Sequence, residues 1–424
     1  MDPENTRTYR AGVVALLTAG TFINSVDRAS LSVAVPFIIE EFKVDTATMG
    51  IALSAFFWTY VLGNLPAGYL ADRFGPKAVL GWSAAVWSLF SALTGLANNV
   101  VQVVLARLGV GLGEAGAFPC NSKIVASNFP SSERGTAIGI YSAGVRLGMA
   151  ATPLLMAYLI HRWGWRSAFL VTGIGSMSWC AFWYFGFKDL SRTKPSDGAR
   201  RPVTKIPWKN VLTDRAILGI IMVKCTQDFL QWMFLTWVPA YLVLERGFSI
   251  IKMGIYGSLP WIAGFLAQPI VGYFSDWLIK QGWTVNRARK TVQVGLQILS
   301  STIIIVGFVD NVMVAMFFLI ISIAAESTAA GHIWVIMAEV IPPKLFGSVS
   351  GLVNSAGAIA GIVSPILTGL IVKATGSFQL ALAIGGCSIL SAAVFILFVV
   401  PRLQPLHLGD EPPPAGAVSQ TAAG

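Results

Sequence analysis

Charged side chains are scarce in this chain of 424 residues. Asp, Glu, Lys and Arg together make up 12% of it, while hydrophobic residues make up 55%. A soluble globular protein has about 25% charged residues. The composition is therefore that of a membrane protein, and we expect most of the chain to be embedded in a lipid bilayer.

Histidine is also rare, with three in the chain, and no P-loop, H-E-x-x-H or G-x-S-x-G motif occurs. Those motifs are typical of phosphate binding, zinc-dependent hydrolysis and catalysis by a serine nucleophile. We therefore expect neither an enzyme nor a resident cofactor. Gly111, Gly113 and Gly116 satisfy G-x-G-x-x-G, but no strand precedes them, and the dinucleotide-binding interpretation fails. We expect them, like Gly144 and Gly148, to permit close helix packing.

Cysteine is scarce as well. The four cysteines fall in or at the ends of apolar segments, which argues against a disulfide framework. They are Cys120, Cys180, Cys225 and Cys387.

Long hydrophobic runs are what the chain has in abundance. A helix needs about 20 apolar residues to cross a bilayer. The first run is too long and too polar in its centre for a signal peptide. The sequence predicts an all-α membrane protein with 12 transmembrane helices, near 11–38, 49–71, 77–97, 100–124, 135–160, 166–187, 216–243, 253–279, 291–308, 312–338, 348–373 and 378–401.

Lysine and arginine are distributed unevenly between the loops. Cytoplasmic loops hold the basic excess in membrane proteins, so both termini are predicted to be cytoplasmic. This bias accounts for most of the net charge of +10 without a nucleic-acid partner. With that orientation, the outer side holds only Lys43, Arg162, Arg166, Arg246, Lys252 and Lys373.

One polar segment divides the chain. Residues 188–215 are charged and carry three prolines, which predicts a cytoplasmic linker between two six-helix bundles, at 1–187 and 216–401. Residues 402–424 are predicted to form a disordered cytoplasmic tail.

The two halves repeat one another. The stretch GYLADRFGPK (68–77) is echoed by GYFSDWLIKQGWTVNRARK (272–290). Internal duplication is typical of secondary transporters, whose binding site lies near the midplane between the repeats. A second echo pairs Gly144, Gly148 and Pro153 with Gly357, Gly361 and Pro365.

GYLADRFGPK also resembles the loop signature of the major facilitator superfamily. Within it the chain resembles the anion:cation symporter family, which includes bacterial galactonate, hexuronate, glucarate and phthalate carriers and animal vesicular glutamate and sialic acid transporters. The likeness covers roughly residues 10–400 and implies the major facilitator fold. It rests on DRASLSVA (27–34), FFWTYVLGNLPAGYLADRFG (56–75), GLGEAGAFPCNSKIVASNFPSSERGTA (111–137), GWRSAF (164–169), FLTWVPAYLV (234–243) and SDWL followed by ARK.

Ionisable residues inside the apolar segments are the candidate functional groups. A charge at the bilayer centre costs at least about 2.5–3.5 kcal/mol, so each must line a cavity or meet a partner. Asn24, Asp27 and Arg28 are spaced to share one face of the first helix, and Arg107 and Glu114 share one face of the fourth. A static ion pair between Asp27 and Arg28 or Arg107 is the structural alternative.

The resemblance implies roles for these residues. Asp27 and Glu114 match residues that take up protons, and Arg28 and Arg107 match residues that handle substrate or coupling. Three more residues, Tyr60, Trp334 and Asn354, match the lining of the substrate site, and Asn24 is added to it. Asp72, Arg73 and Asp276 are expected in cytoplasmic-face latches that stabilise one conformer.

Three further features lie outside the family pattern. Lys224, Gln227, Asp228 and Gln231 form a polar stripe on the seventh helix, where Lys224 and Asp228 either pair with each other or meet substrate. Arg146 has Val145 beside it instead of a polar amide, and it is a candidate for holding a second carboxylate. Glu326 and His332 are further candidates on the tenth helix, with a helix–helix hydrogen bond the favoured interpretation for the histidine.

Together these features predict a monomeric, multi-pass transporter of the cell inner (plasma) membrane. It would import a small organic anion, favoured to be a sugar acid, with a proton as the co-transported ion and by alternating access. The alternatives are an aromatic carboxylate or dicarboxylate as substrate, an exporter or uniporter of the same fold, and a sensor that moves nothing.

Overall fold

The computed structural model describes residues 3–187, 207–342 and 345–404. Regular structure in these ranges is helical, and a five-residue π-helical turn, Phe395–Val399, follows the last α-helix. The helices are α1 Pro3–Phe42, α2 Thr46–Phe74, α3 Pro76–Thr94, α4 Val100–Glu114, α5 Ala117–Asn128, α6 Ser131–Gly186, α7 Trp208–Thr213, α8 Arg215–Leu244, α9 Ile250–Lys280, α10 Val285–Ser300, α11 Ile303–Phe308, α12 Val312–Val340, α13 Phe346–Thr375 and α14 Gln379–Val394.

The predicted apolar segments all fall on helices. α4 and α5 share the fourth segment, α10 and α11 share the ninth, and α6 contains the fifth and sixth. Gly164 separates those two, since its φ of 78° interrupts the helix. By length and composition, nine helical stretches of the described chain could cross a membrane. The count of twelve crossings and the cytoplasmic termini stay predictions.

Polar caps explain where several helices begin. Asp45, Asn99, Asp214 and Asn311 each stand directly before a helix and accept hydrogen bonds from its first backbone N–H groups. Those N–H groups have no partner inside the helix, so a side-chain acceptor stabilises the start.

The predicted linker is only partly visible. Residues 188–206 lie outside the described residues, and part of the remainder forms α7. Residues 405–424 of the predicted tail also lie outside them. We call α1–α6 the N-terminal half and α8 to the π-helical turn the C-terminal half; the domain boundaries themselves stay predictions.

Small residues allow α6 to cross α1 closely, as predicted. A Cβ added to Gly144 would meet the Thr18 carbonyl oxygen at 2.5 Å, and one added to Gly148 would meet that of Phe22 at 2.5 Å. An alanine at either position would therefore push the two helices apart. All four cysteines are free, which agrees with the expected lack of a disulfide framework.

The two halves meet through α2 with α13, α6 with α9, and α1 with α8. At the end where α2 begins, the fit is close. A Cβ on Gly50 would meet the Pro365 carbonyl oxygen at 2.5 Å. A Cβ on Gly254 would meet the Cβ of Ala157 at 2.6 Å. Thr46 donates to the Gly369 carbonyl at 2.9 Å. The halves are closed against each other at this end.

At the other end the same helix faces are apart. A spacing of 18 residues is about five helical turns, so it returns to the same face of a helix. At this distance from Gly50, Ala157, Gly254 and Gly369 stand, respectively, Gly68, Gly139, Gly272 and Gly351. A Cβ on any of these four glycines would have no atom of a neighbouring element within 4 Å among the described residues. The space between the halves therefore opens towards the end where α1 begins, which is the inward-open state if the predicted orientation holds.

An ion pair joins the halves at the closed end. Asp45 before α2 pairs with Lys373 in the last turn of α13 at 2.6 Å, and both side chains are partly exposed. The hydrogen bond from Lys373, with those from Thr48, lowers the pKa of Asp45 to about 2. The contact is therefore present throughout the physiological pH range and is lost only as the pH falls through about 2.

Removing this pair should move the molecule towards the outward-open state. Asp45→Asn retains a side chain that caps α2 and removes the charge, so the closed end should open about two- to fivefold more often, which is the range for an exposed pair. Spin-label distances across the closed end measure this population. Lys373→Gln should shift the population by the same amount. The double variant should cause no larger shift than either single variant. Unchanged distances in both single variants would show that the pair does not hold this end closed.

Candidate functional site

Arg28 and Glu114 form a buried ion pair inside the N-terminal half. Arg28 Nη2 lies 2.7 Å and Nε 2.9 Å from Glu114 Oε2, with side chains 8% and 0% exposed. The guanidinium also donates to Asn24 Oδ1 at 3.4 Å and lies over the rings of Phe56 and Tyr60, 5.0 and 5.1 Å from their centroids. Three sequence-predicted site residues from α1, α2 and α4, namely Asn24, Tyr60 and Glu114, therefore surround the Arg28 guanidinium.

Asp27 faces a different set of neighbours. Its carboxylate accepts hydrogen bonds from Ser91 of α3 at 2.7 Å and from Ser176 of α6 at 2.5 Å. The ion pair considered for Asp27 with Arg28 or Arg107 is absent from the described residues. The reason is helical geometry: adjacent residues point about 100° apart, so Asp27 faces α3 and α6 while Arg28 faces α4.

Arg107 binds backbone rather than a carboxylate. Its guanidinium donates to the carbonyl oxygens of Asp27 at 3.3 Å and Arg28 at 2.9 Å, and it lies 5.3 Å from the Phe56 ring centroid. The side chain is 4% exposed. Arg107 thus ties α4 to α1 at the two residues that carry the charged groups and adds a positive charge beside them.

Part of this cluster faces the other half. A small pocket at the interface is lined by Arg28, Arg107 and Phe57 from the N-terminal half and by Leu235 and Thr236 of α8. Both arginines therefore reach the interface between the two halves.

A second charged cluster lies in the C-terminal half. Lys224 Nζ lies 2.5 and 2.6 Å from the two carboxylate oxygens of Asp228, and both side chains are buried. The structure thus contains the pair, which is one of the two alternatives that the sequence left open for these residues. Gln227 is fully buried and accepts from Gln293 of α10 at 3.3 Å, while Gln231, one turn further along α8, is partly exposed.

Arg146 connects the two halves at mid-helix. It donates from α6 to the hydroxyl of Ser327 on α12 at 3.2 Å and to the carbonyl of that residue at 3.4 Å. Ser327, Gly331 and Trp334 share one face of α12, and the Trp334 side chain is 40% exposed. Asn354 is exposed on α13, on the face of Gly357, which approaches Asp228 closely.

The structure separates these residues into two groups. Asn24, Asp27, Arg28, Tyr60, Arg107 and Glu114 surround the first cluster, and Arg146, Lys224, Gln227 and Glu326 surround the second. Among the described residues no hydrogen bond or ion pair joins the two groups. The first group lies in the N-terminal half, and the second lies in the C-terminal half except for Arg146 of α6.

The residues predicted to form latches are paired within their own halves. Asp72 pairs with Lys123 at 2.6 Å, and Asp276 pairs with Arg289 at 2.7 Å. Arg73 is exposed beside Phe74, with its guanidinium 5.3 Å from the ring centroid. No pair between the halves occurs here in the described chain, as expected at the open end.

Sequence reasoning missed several partners. His332 forms the expected helix–helix hydrogen bonds, with Gln293 of α10 at 3.0 Å and Ser275 of α9 at 3.3 Å. Neither partner was predicted, nor were Ser91 and Ser176. The repeated DWL…ARK stretch was a signal for Arg289, since it contains that residue and its partner Asp276.

Comparison with known proteins agrees with the fold. The chain is 32% identical to the "Probable galactarate/D-glucarate transporter" of Escherichia coli (strain K12), covering 93% of this chain and 96% of that protein. It is 32% identical to the "Probable sulfoacetate transporter" of Cupriavidus necator, covering 94% and 95%. The solved structure of a D-xylose-proton symporter is 17% identical with a TM-score of 0.77, covering 93% and 99%, and supports the fold.

These relatives confirm the resemblance to the anion:cation symporters and a multi-pass location in the cell inner membrane. The Major Facilitator Superfamily profile matches residues 17–365. The chain therefore belongs to the Major Facilitator Superfamily, and it is a transport protein and not an enzyme.

Proposed function

We propose that this protein is a proton-coupled symporter that imports a small organic anion, a sugar acid, by alternating access. The observation that carries the proposal is the buried Arg28–Glu114 pair beside a pocket lined by both halves. An anion binder needs a cation that it can reach, and Arg28 is held by a carboxylate that a proton can neutralise. The named substrates of the relatives, galactarate, D-glucarate and sulfoacetate, support an acidic substrate.

Proton binding and anion binding compete for the same guanidinium. When Glu114 is ionised it occupies Arg28 with two short contacts. When Glu114 is protonated, that charge-assisted pair is lost and the planar donor fork of Arg28 can bind a substrate carboxylate through two parallel hydrogen bonds. Substrate and proton are then bound together, and rocking of the halves carries both across the membrane.

Asp27 is the second proton-binding candidate. Hydroxyl groups of Ser91 and Ser176 hold its carboxyl in place, and a hydroxyl can donate to a carboxylate or accept from a protonated acid. Its position is therefore kept in both protonation states. Arg107 keeps the backbone of Asp27 and Arg28 in register with α4 and adds a fixed positive charge for the anion.

The two charged clusters favour a substrate with two acidic groups. Arg28 and Arg107 offer one positive pole, and Arg146 of α6 with Lys224 of the C-terminal half offers another. Galactarate and D-glucarate carry a carboxylate at each end, and sulfoacetate carries a carboxylate and a sulfonate. Asn24, Gln231 and Asn354 supply amides for the hydroxyl groups of a sugar acid, while Tyr60 and Trp334 supply ring faces.

Arg146→Gln tests the second pole. It should weaken binding of D-glucarate about ten- to hundredfold, since a hydrogen bond to a charged group contributes about 1.5–3 kcal/mol. Binding of the monoanion D-galactonate should change less than about twofold. Calorimetric titration of both acids measures this. Ser327→Ala is the matched control because it removes the side-chain contact of Arg146 but keeps the charge of Arg146. Equal losses for both acids would place Arg146 in structure or coupling.

Uptake into proteoliposomes tests the proposed function. Radiolabelled D-glucarate should enter faster when the outside is made acidic, and unlabelled D-glucarate and galactarate should compete for uptake. Benzoate, an aromatic carboxylate, should not compete. Failure of every sugar acid to enter or to exchange would contradict the proposed substrate class, and faster entry with an alkaline exterior would contradict proton symport.

A further inference from the structure

The carboxyl group of Glu326 is buried without a partner. The side chain of this residue on α12 is 0% exposed, and neither carboxylate oxygen has a hydrogen bond of 3.5 Å or shorter within the described residues. Burying an ionised carboxylate without hydrogen bonds is strongly unfavourable, whereas a neutral acid costs far less. The surroundings of Glu326 therefore suit its protonated form.

The charges around Glu326 make its proton relevant to anion binding. Lys224, Asp228 and Arg146 lie near enough to interact with it electrostatically. With Glu326 ionised, this cluster of two cations and two carboxylates is neutral. With Glu326 protonated, it carries one net positive charge, which can attract the second acidic group of a substrate.

A hydrogen-bonded chain leads to Glu326 from the open end. Arg289 donates to Ser275 at 2.9 Å, and Ser275 Oγ lies 3.3 Å from His332 Nε2. His332 Nδ1 lies 3.0 Å from the Gln293 oxygen, and Gln293 donates to Gln227 at 3.3 Å. All four hydrogen bonds can form at once if each residue in this series donates to the next one towards Gln227.

The series of hydrogen bonds ends at the side-chain amide of Gln227, which has a free donor among the described residues. Gln227 lies next to Glu326, and its Nε2 has no hydrogen-bond partner within the described residues. It can therefore donate to Glu326 when that residue ionises. Further along towards the open end, Arg289 on α10 and Asp276 on α9 are ionisable groups on helices packed against α12, and α12 itself adds His332 and Glu339.

We propose that Glu326 is a proton-binding site of the C-terminal half, whose proton is bound together with the second acidic group of the substrate. This rests on the proposed function and adds a site beyond the Glu114 and Asp27 pair. The proton at Glu114 frees the Arg28 guanidinium for one end of the substrate. The proton at Glu326 leaves the second cluster with a net positive charge, and this cluster meets the other end of the substrate.

The first test needs no substrate. Infrared spectra of the purified wild type should contain the C=O band of a protonated carboxyl group, which loses intensity at alkaline pH and is missing in Glu326→Gln. Glutamine is a neutral analogue of the protonated acid, so this variant should fold with an unchanged Tm. Identical spectra for the two proteins across the pH range, or a strongly lowered Tm, would overturn the proposal.

The second test measures affinity against pH. Above the pH at which Glu326 ionises, wild-type affinity for D-glucarate should fall by a further factor of about ten per pH unit, as linkage to one proton requires. Glu326→Gln should lack this additional fall, and the two proteins should bind the monoanion D-galactonate with the same pH dependence. Parallel curves for D-glucarate would overturn the proposal. If neither acid binds the wild type, the proposed function fails, while the infrared test still decides whether Glu326 holds a proton.

Discussion

Arg28→Lys is expected to lower the efficiency of transport about ten- to hundredfold. A lysine places one point charge where the guanidinium offers a planar fork, and the lost charge-assisted contact contributes about 1.5–3 kcal/mol. The fold should survive because a lysine can still pair with Glu114. Initial uptake rates over a range of substrate concentrations, on proteoliposomes with matched protein content, measure the loss.

Arg10→Lys is the matched control for this experiment. Arg10 lies on the same helix and pairs with Glu133 at 3.3 Å, but the pair is exposed at the open end, away from the pocket. Its replacement should change uptake less than about twofold, as expected for a surface pair. Near-normal uptake by Arg28→Lys would remove Arg28 from the substrate site.

Glu114→Gln is expected to separate exchange from accumulation. Glutamine imitates the protonated carboxyl group, so Arg28 stays free for substrate and exchange of labelled for unlabelled substrate should continue within about twofold of wild type. Accumulation driven by a pH gradient should be lost, because no proton can be released inside. Both quantities can be measured on the same proteoliposomes.

A structural role for Glu114 predicts a different result. Removing one partner of a buried ion pair leaves an uncompensated charge and costs about 3–5 kcal/mol, so the variant would insert poorly and lose exchange as well. Glu133→Gln, at the exposed pair with Arg10, is the control for loss of a glutamate. A Glu114→Gln protein that still concentrates substrate would leave Asp27 as the coupling residue.

The helices could be read from the sequence to within a few residues. Hydrophobic runs long enough to span a bilayer have few other solutions, since lipid forces every backbone polar group to bond within its own helix. Interruptions were harder to predict. The break after Glu114 depends on how neighbouring helices pack and has no strong signal in the composition, whereas the turn at Gly164 lies in the gap predicted between the fifth and sixth segments.

The charged residues of the site could be predicted, but their partners could not. The spacing of Asn24 and Arg28 placed them on one face, and the structure confirms this contact. Which helix that face meets depends on the tertiary arrangement, so the sequence did not separate the neighbours of Asp27 from those of Arg28. The serines beside Asp27 were missed for the same reason, because single serines are common in membrane helices.

The closed and open ends were also beyond sequence analysis. A transporter sequence must support both states, so the Asp45–Lys373 contact and the separated glycine faces belong to one conformation only. Local patterns describe what both states share, which is the helices and their faces.

Direct measurement of proton movement with substrate tests the central claim most closely. Proteoliposomes with a pH-sensitive dye inside, and with no imposed pH gradient, receive D-glucarate from the outside. We predict that the interior becomes acidic in step with D-glucarate uptake, and that Glu114→Gln abolishes this acidification while exchange continues. Uptake of D-glucarate by the wild type with no change in internal pH would contradict proton-coupled symport.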